Sequence, residues 1–228
     1  MSIRRLEYQI NFVHILTFRE QYKDVVSPYF GFEKVEYAIE DENSVHEGIK
    51  LVFKNEKIVI VLNKEGILFL FEGDADELKN QNGPIKFFWD IYEKIKGFKN
   101  YIRTTRHILL THAVNVKAKE EVVTILKTTP YFAKNLFGNL DEFGCSYEFL
   151  NDGINFKIQF GNFTPKDIRK HDLSPFKTEF NKDLFESVGI MGRIELFEQE
   201  RNPTFSKFKN LLTKTEENFL ILDLIAKE

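Results

Sequence analysis

Apolar residues in the first hundred positions change period in a fixed order, and that order constrains the fold more than any motif does. Leu6, Tyr8, Ile10 and Phe12 alternate with Glu7, Gln9 and Asn11, the period of a half-buried strand. Over residues 17–26 the spacing turns helical and stops before Ser27-Pro28. Phe32, Val35, Tyr37 and Ile39 predict a second strand. Residues 49–54 and 57–63 predict two more, joined tightly through Asn55-Glu56, and residues 67–72 a fifth after the turn Asn63-Lys64-Glu65-Gly66. A polar stretch leads to Pro84, which suits the first turn of a helix. Ile85, Phe88, Ile91, Tyr92 and Ile95 then form a helical stripe that ends at Gly97.

The remainder reads in the same order. Residues 107–117 predict a strand and 118–128 a helix. Residues 143–150 and 154–160 predict strands across Asn151-Asp152-Gly153, a tight-turn signal. Residues 176–180 and 188–198 predict two further strands. Pro203 opens a last helix with Phe208, Leu211, Leu212 and Phe219 on its apolar side. Local sequence recurs as well: Ser27-Pro28-Tyr29-Phe30 returns 102 positions later as Thr129-Pro130-Tyr131-Phe132. Asn11 returns as Asn115 at an offset of 104, which lays Leu6, Ile10 and Phe12 over Leu110, Val114 and Val116. Asn82-Gly83-Pro84 matches Arg201-Asn202-Pro203 at an offset of 119, the difference falling in a longer loop at 161–174.

These observations predict an α+β fold made of a tandem β-α-β4-α unit, residues 1–100 and 101–228. Five antiparallel strands can curve around two covering helices, and two such units can join edge to edge into one long curved antiparallel sheet. All helices then lie on one face, and the other face is a bare concave saddle. On the first strand the bare positions are Arg5, Glu7, Gln9 and Asn11. The offset of 104 assigns His107, Leu109, Thr111, Ala113 and Asn115 to the same side.

Certain residues give the layout a likeness. Leu51-Val52-Phe53 and Lys57-Ile58-Val59 flank a short turn, Asn11 and Asn115 lie on paired first strands, and Phe30 and Phe53 follow at intervals. In these features the chain resembles the TATA-binding-protein fold, a direct duplication of the same unit. The resemblance implies paired asparagines at the centre of the saddle and phenylalanines positioned as wedges for a DNA minor groove. The sequence departs from that pattern in three ways. Asn55-Glu56 replaces the small residues of the hairpin turn, and Glu33, Glu36 and Glu40 stand where arginines would clamp phosphate. The second half, turning through Asn151-Asp152-Gly153, has no counterpart of the wedge hairpin. A minor-groove binder needs cationic contacts to offset base unstacking. The chain also resembles sporadically distributed bacterial families of this size whose function is unassigned.

Composition excludes several classes. Lys and Arg number 32 against 35 Asp and Glu, and the two halves share both evenly, which argues against dominant non-specific phosphate binding. A single cysteine, Cys145, rules out an internal disulfide and a cysteine-rich zinc site, and suits a reducing cytoplasmic setting. The segment Met1-Ser2-Ile3-Arg4-Arg5 is not followed by the apolar core of a signal peptide. The longest apolar runs, 58–62 and 67–71, are strand-sized, so no membrane partner is expected. The 24 phenylalanines point to a Phe-filled core or to an exposed aromatic surface.

Catalytic patterns are weak. There is no Gly-rich phosphate loop and no Gly-x-Ser-x-Gly elbow. Of the five histidines, His14, His46, His107, His112 and His171, the pair His107 and His112 are five positions apart, so on a strand they face opposite sides. His171-Asp172 falls in a predicted loop rather than on the helix a metal phosphohydrolase requires, and Glu77-Leu78-Lys79 lies in a polar segment rather than on a nuclease strand. No cofactor or metal is expected.

The sequence therefore predicts a non-enzymatic recognition module that binds a protein partner through the concave sheet or the helical back. An accessory role in a defence or toxin-neutralising pathway is the class-level expectation. The alternative is nucleic-acid binding on the saddle, and the third reading is a hydrolase whose site follows no familiar motif. Candidate binding residues are Arg5, Asn11, Phe30, Phe53, Arg103, Arg106, His107 and Asn115.

Overall fold

The computed structural model describes residues 1–13, 15, 18–30, 35–41, 47–98, 101, 103–117, 119–128, 144–164, 188–199 and 202–225. In chain order the elements are β1 (Ser2–Phe12), α1 (Phe18–Val26), a 3₁₀ turn (Ser27–Tyr29), β2 (Val35–Glu40), β3 (Gly48–Phe53), β4 (Ile58–Asn63), β5 (Gly66–Phe71), a second 3₁₀ turn (Ala75–Lys79) and α2 (Ile85–Lys96). There follow β6 (Thr104–Lys117), α3 (Lys119–Thr128), β7 (Gly144–Asn151), β8 (Ile154–Phe163), β9 (Val188–Glu198) and α4 (Phe205–Ile225). The expected strand at 176–180, the 161–174 loop beyond Thr164 and the recurrence Thr129-Pro130-Tyr131-Phe132 lie outside the described residues.

Among the described residues all nine strands form one antiparallel sheet in the order β2-β3-β4-β5-β1-β6-β9-β8-β7. The fold is therefore α+β, with one large sheet and, among the described residues, four helices. β1 and β6 lie side by side at its centre, so the sheet runs without a break from the first half of the chain into the second. Local sequence explains the hairpins. Asp152 and Gly153 adopt φ of 50° and 76°, the left-handed pair that a two-residue β7–β8 turn requires. The β4–β5 turn spans Lys64-Glu65 between partners Asn63 and Gly66. There a Cβ on Gly66 would stand 2.7 Å from the Ile10 carbonyl oxygen, so the close approach of β1 requires glycine.

The main core lies between one face of the sheet and helices α1, α2 and α4. Tyr8, fully buried on β1, is its midpoint. Its ring meets Phe88 of α2 edge-on at 5.4 Å and Phe208 of α4 at 4.9 Å, so both long helices dock on the same side of the same strand. Such aromatic pairs add roughly 0.5–1.5 kcal/mol each beyond their area burial. The stripe Ile85, Phe88, Ile91, Tyr92 and Ile95 is entirely buried, as its spacing predicts. Further along, Ala113 and Gly192 are cross-strand partners, and the ring of Phe219 on α4 settles there, 2.9 Å from where a Gly192 Cβ would be. Phenylalanine fills much of this core: Phe12, Phe53, Phe69, Phe71, Phe156, Phe160, Phe208 and Phe219 are all buried.

One expectation is corrected. Leu6 stands opposite Thr111, Tyr8 opposite Leu109 and Ile10 opposite His107, so these β6 residues share the helix-covered side with β1's core residues. His107, Leu109, Thr111 and Ala113 are buried there, and Asn115 reaches Asp223 of α4 at 2.8 Å. The positions of β6 on the opposite face are instead Arg106, Ile108, Leu110, His112, Val114 and Val116, of which Val114 is itself buried. Matching Asn11 to Asn115 shifted the alignment by an odd number of residues, and because side chains alternate, that shift exchanges the faces of the whole strand.

Candidate binding face

The sheet face opposite α1, α2 and α4 is built by cross-strand rows that follow from the registers. One row runs Ala38, Lys50, Val61, Leu68, Gln9, Ile108, Phe197, Asn155 and Leu150 from edge to edge. Beside it runs Glu36, Val52, Val59, Leu70, Glu7, Leu110, Glu195, Lys157 and Glu148. Val59 and Leu70 pack with Val52, Val61 and Leu68 into an apolar cluster of the first half. A second cluster, Val114, Phe163 and Met191, lies on the same face of the second half.

Charge on this face is neutralised locally. Arg5 pairs with Glu7 at 2.8 Å and Arg193 with Glu195 at 3.5 Å, each reaching two residues along its own strand on either side of β6. Lys50 pairs with Glu40 at 3.4 Å, Lys54 with Glu36, and Lys157 with Glu148 at 2.8 Å. The Glu148 carboxylate holds the Lys157 ammonium pKa above its usual value. Arg193 also donates to Gln159 Oε1 at 3.2 Å. Exposed pairs of this kind contribute little to stability, about 0–1 kcal/mol each. Their larger effect is on the field of the face, which carries interleaved charge of both signs.

Arg106 differs. It is exposed, stands opposite Asn11 across the β1–β6 seam, and has no ion-pair partner among the described residues. Together with Asn11, Phe12, Glu65, Thr105, Phe197 and Gln199 it lines a cavity of about 420 Å³ at the end of the seam. Asn11 Oδ1 accepts from Gln9 Nε2 at 2.6 Å, which fixes the amide. Asn11 and Arg106 are thus the sequence-predicted residues that the structure brings together. Arg5 lies on the same face, neutralised by Glu7. Arg103 is exposed in the connection just before β6, its carbonyl accepting from the Val13 amide at 3.2 Å.

The other candidates are elsewhere. Phe53 is only 2% exposed and packs against Phe87 at 4.7 Å, because Ile49, Leu51 and Phe53 all point toward the helices. Phe30 packs at 4.3 Å against Tyr37, a β2 residue on the same side of the sheet as Phe53, so neither phenylalanine is placed as a wedge on the open face. His107, fully buried, joins Tyr8 Oη through Nδ1 at 2.8 Å and Glu198 through Nε2 at 3.1 Å. His107 and His112 do face opposite sides of β6, as their spacing requires. His14, His46 and His171-Asp172 lie outside the described residues. Among the described residues no cluster of His, Cys, Asp and Glu could hold a metal, and no helix is long and apolar enough to cross a membrane. Glu77-Leu78-Lys79 forms a 3₁₀ turn in which Lys79 bridges Asp76 and Glu216, both of which raise its pKa. Cys145 is half-buried against the core at the start of β7.

Sequence reasoning missed Phe197, Glu195 and Arg193. A signal was present: Arg5-Leu6-Glu7 and Arg193-Ile194-Glu195 share the order cation, core residue, anion, which on a strand places the ion pair on the face opposite the core. No protein-family model matches the chain, and no curated protein matches it in sequence.

Proposed function

We propose that this protein is a recognition module that binds a protein partner on the open face of its sheet. The observation that carries the reading is the pairing of Arg5, Lys50, Lys54, Lys157 and Arg193 with carboxylates of the same face, interleaved with apolar rows. Polyanion binding draws its affinity from unpaired cations that release counterions. A face on which five cations are already neutralised retains little of that source, whereas mixed charge around apolar residues suits a protein interface. Size supports the reading too. Nine strands at about 4.8 Å spacing and six residues of shared length give a face of roughly 750 Å², near the ~800 Å² per partner of a standard interface.

The arrangement of the sheet supports a finer reading, in which one β-α-β4-α unit is written twice to make a saddle. β1 is flanked by β5, the last strand of its half, β6 by β9, the last of its own, and the final helix of each half docks on Tyr8. The single cysteine is in keeping with a cytoplasmic setting.

The test is photo-crosslinking from Leu110 and, as a control, from Lys86 on the exposed side of α2, followed by mass spectrometry. Protein adducts specific to position 110 are expected. Retention of labelled duplex or single-stranded DNA by the purified protein at about 50 mM salt, with no protein adduct, would overturn the reading.

A further inference from the structure

Five open-face cations hold carboxylates, and among the described residues Arg106 holds none, although it sits at the central seam where both halves meet. An exposed guanidinium beside a cavity of about 420 Å³ presents a planar fork of donors, the geometry that binds a carboxylate bidentately. Around it the cavity supplies neutral groups of matching kind: the Asn11 and Gln199 amides, the Thr105 hydroxyl and the ring of Phe197. The Asn11 Oδ1 already accepts from Gln9, so what the Asn11 amide adds to the cavity lining is its Nδ2 donor group.

Resting on the protein-binding reading above, we infer that this cavity is the anchor point of the interface. It takes a single Asp or Glu side chain of the partner, its carboxylate on Arg106 and an adjacent apolar residue on Phe197. Glu65 lines the same cavity and sharpens the specificity. One carboxylate can dock on Arg106 while avoiding Glu65, but a chain of phosphates would bring further negative charge against it. Neutral Gln, inorganic phosphate and free acetate lack one or more of these complements.

The experiment is selection of a random twelve-residue phage-displayed peptide library on the wild-type protein, on Arg106→Gln and on Arg106→Lys. Arg106 is exposed, so these variants should retain the native circular dichroism. Wild type is expected to enrich peptides with one Asp or Glu next to an apolar residue. Gln in place of that acid, or Arg106→Gln in the protein, should weaken binding roughly ten- to hundredfold, with Arg106→Lys in between. Glu65→Gln should tighten binding of the same peptides several-fold. Peptides that bind Arg106→Gln equally well, or enrichment without an acidic position, would overturn the anchor while leaving a protein-binding face intact. No peptide enrichment combined with DNA retention would overturn both readings.

Discussion

The face assignment of β6 can be settled by two neighbouring residues. Leu109 is fully buried beneath the helices and Leu110 lies half-buried on the open face. In Leu109→Asn the core loses about 1.5–3 kcal/mol of apolar burial. The introduced amide adds about 1–3 kcal/mol for its unsatisfied groups, giving a total near 3–5 kcal/mol. Leu110→Asn exchanges a partly exposed side chain for one that water can reach, and should cost less than about 1 kcal/mol. The single tryptophan, Trp89, packs within 5.9 Å of Tyr8 and is 7% exposed, so its fluorescence reports on this layer of the core. At a urea m-value of about 2 kcal/mol/M, the midpoint should fall by roughly 1.5–2.5 M for Leu109→Asn and by under about 0.5 M for Leu110→Asn. Equal losses, or a greater loss at Leu110, would mean that β6 is turned over and that the binding face described above is the core.

Two further outcomes follow from buried hydroxyls. Tyr8→Phe keeps the ring between Phe88 and Phe208 but removes the 2.8 Å hydrogen bond to a fully buried imidazole; a loss of about 1–3 kcal/mol in urea unfolding is expected, and an unchanged midpoint would refute a structural role for the Tyr8–His107–Glu198 chain. Burial pushes the phenols of Tyr22 and Tyr92 upward, Thr104 opposing the shift at Tyr92 in part. Raised folded values mean that their contribution is complete below about pH 10 and declines above it, by about 1.4 kcal/mol per pH unit for each tyrosine still neutral in the fold. Urea midpoints at pH 9, 10 and 11, read with absorbance at 295 nm, should show these phenols ionising only as the protein unfolds.

What was legible in the sequence divides along physical lines. Strands with one apolar face declared their orientation: Leu6, Tyr8, Ile10 and Phe12 are buried as their alternation requires. The turn residues Asp152-Gly153 and the stripe of α2 were equally plain. β6 was not, because Ile108, Leu110 and Val114 on one face compete with Leu109 and Ala113 on the other, and hydrophobicity gives no preference between them. Only pairing with β1 decides it, and pairing register is not written in local sequence. The same ambiguity divided the candidate site. Arg5, Asn11 and Arg106 are on the open face, while His107 and Asn115 satisfy partners under the helices. Phe53 was legible, since it continues the inward series of Ile49 and Leu51.

The β1–β6 seam has a consequence for synthesis. β1 hydrogen-bonds to β6, made roughly a hundred residues later, and on its other side to β5. At about 5–20 residues per second, one flank of β1 therefore stays without its neighbour for on the order of 5–20 s while the ribosome works through the intervening chain. An unclaimed strand edge invites pairing with other nascent chains, and charged residues such as Arg4, Arg5 and Glu7 along that strand discourage it. These charged residues of β1 then act as a guard during translation, before they contribute to any finished surface.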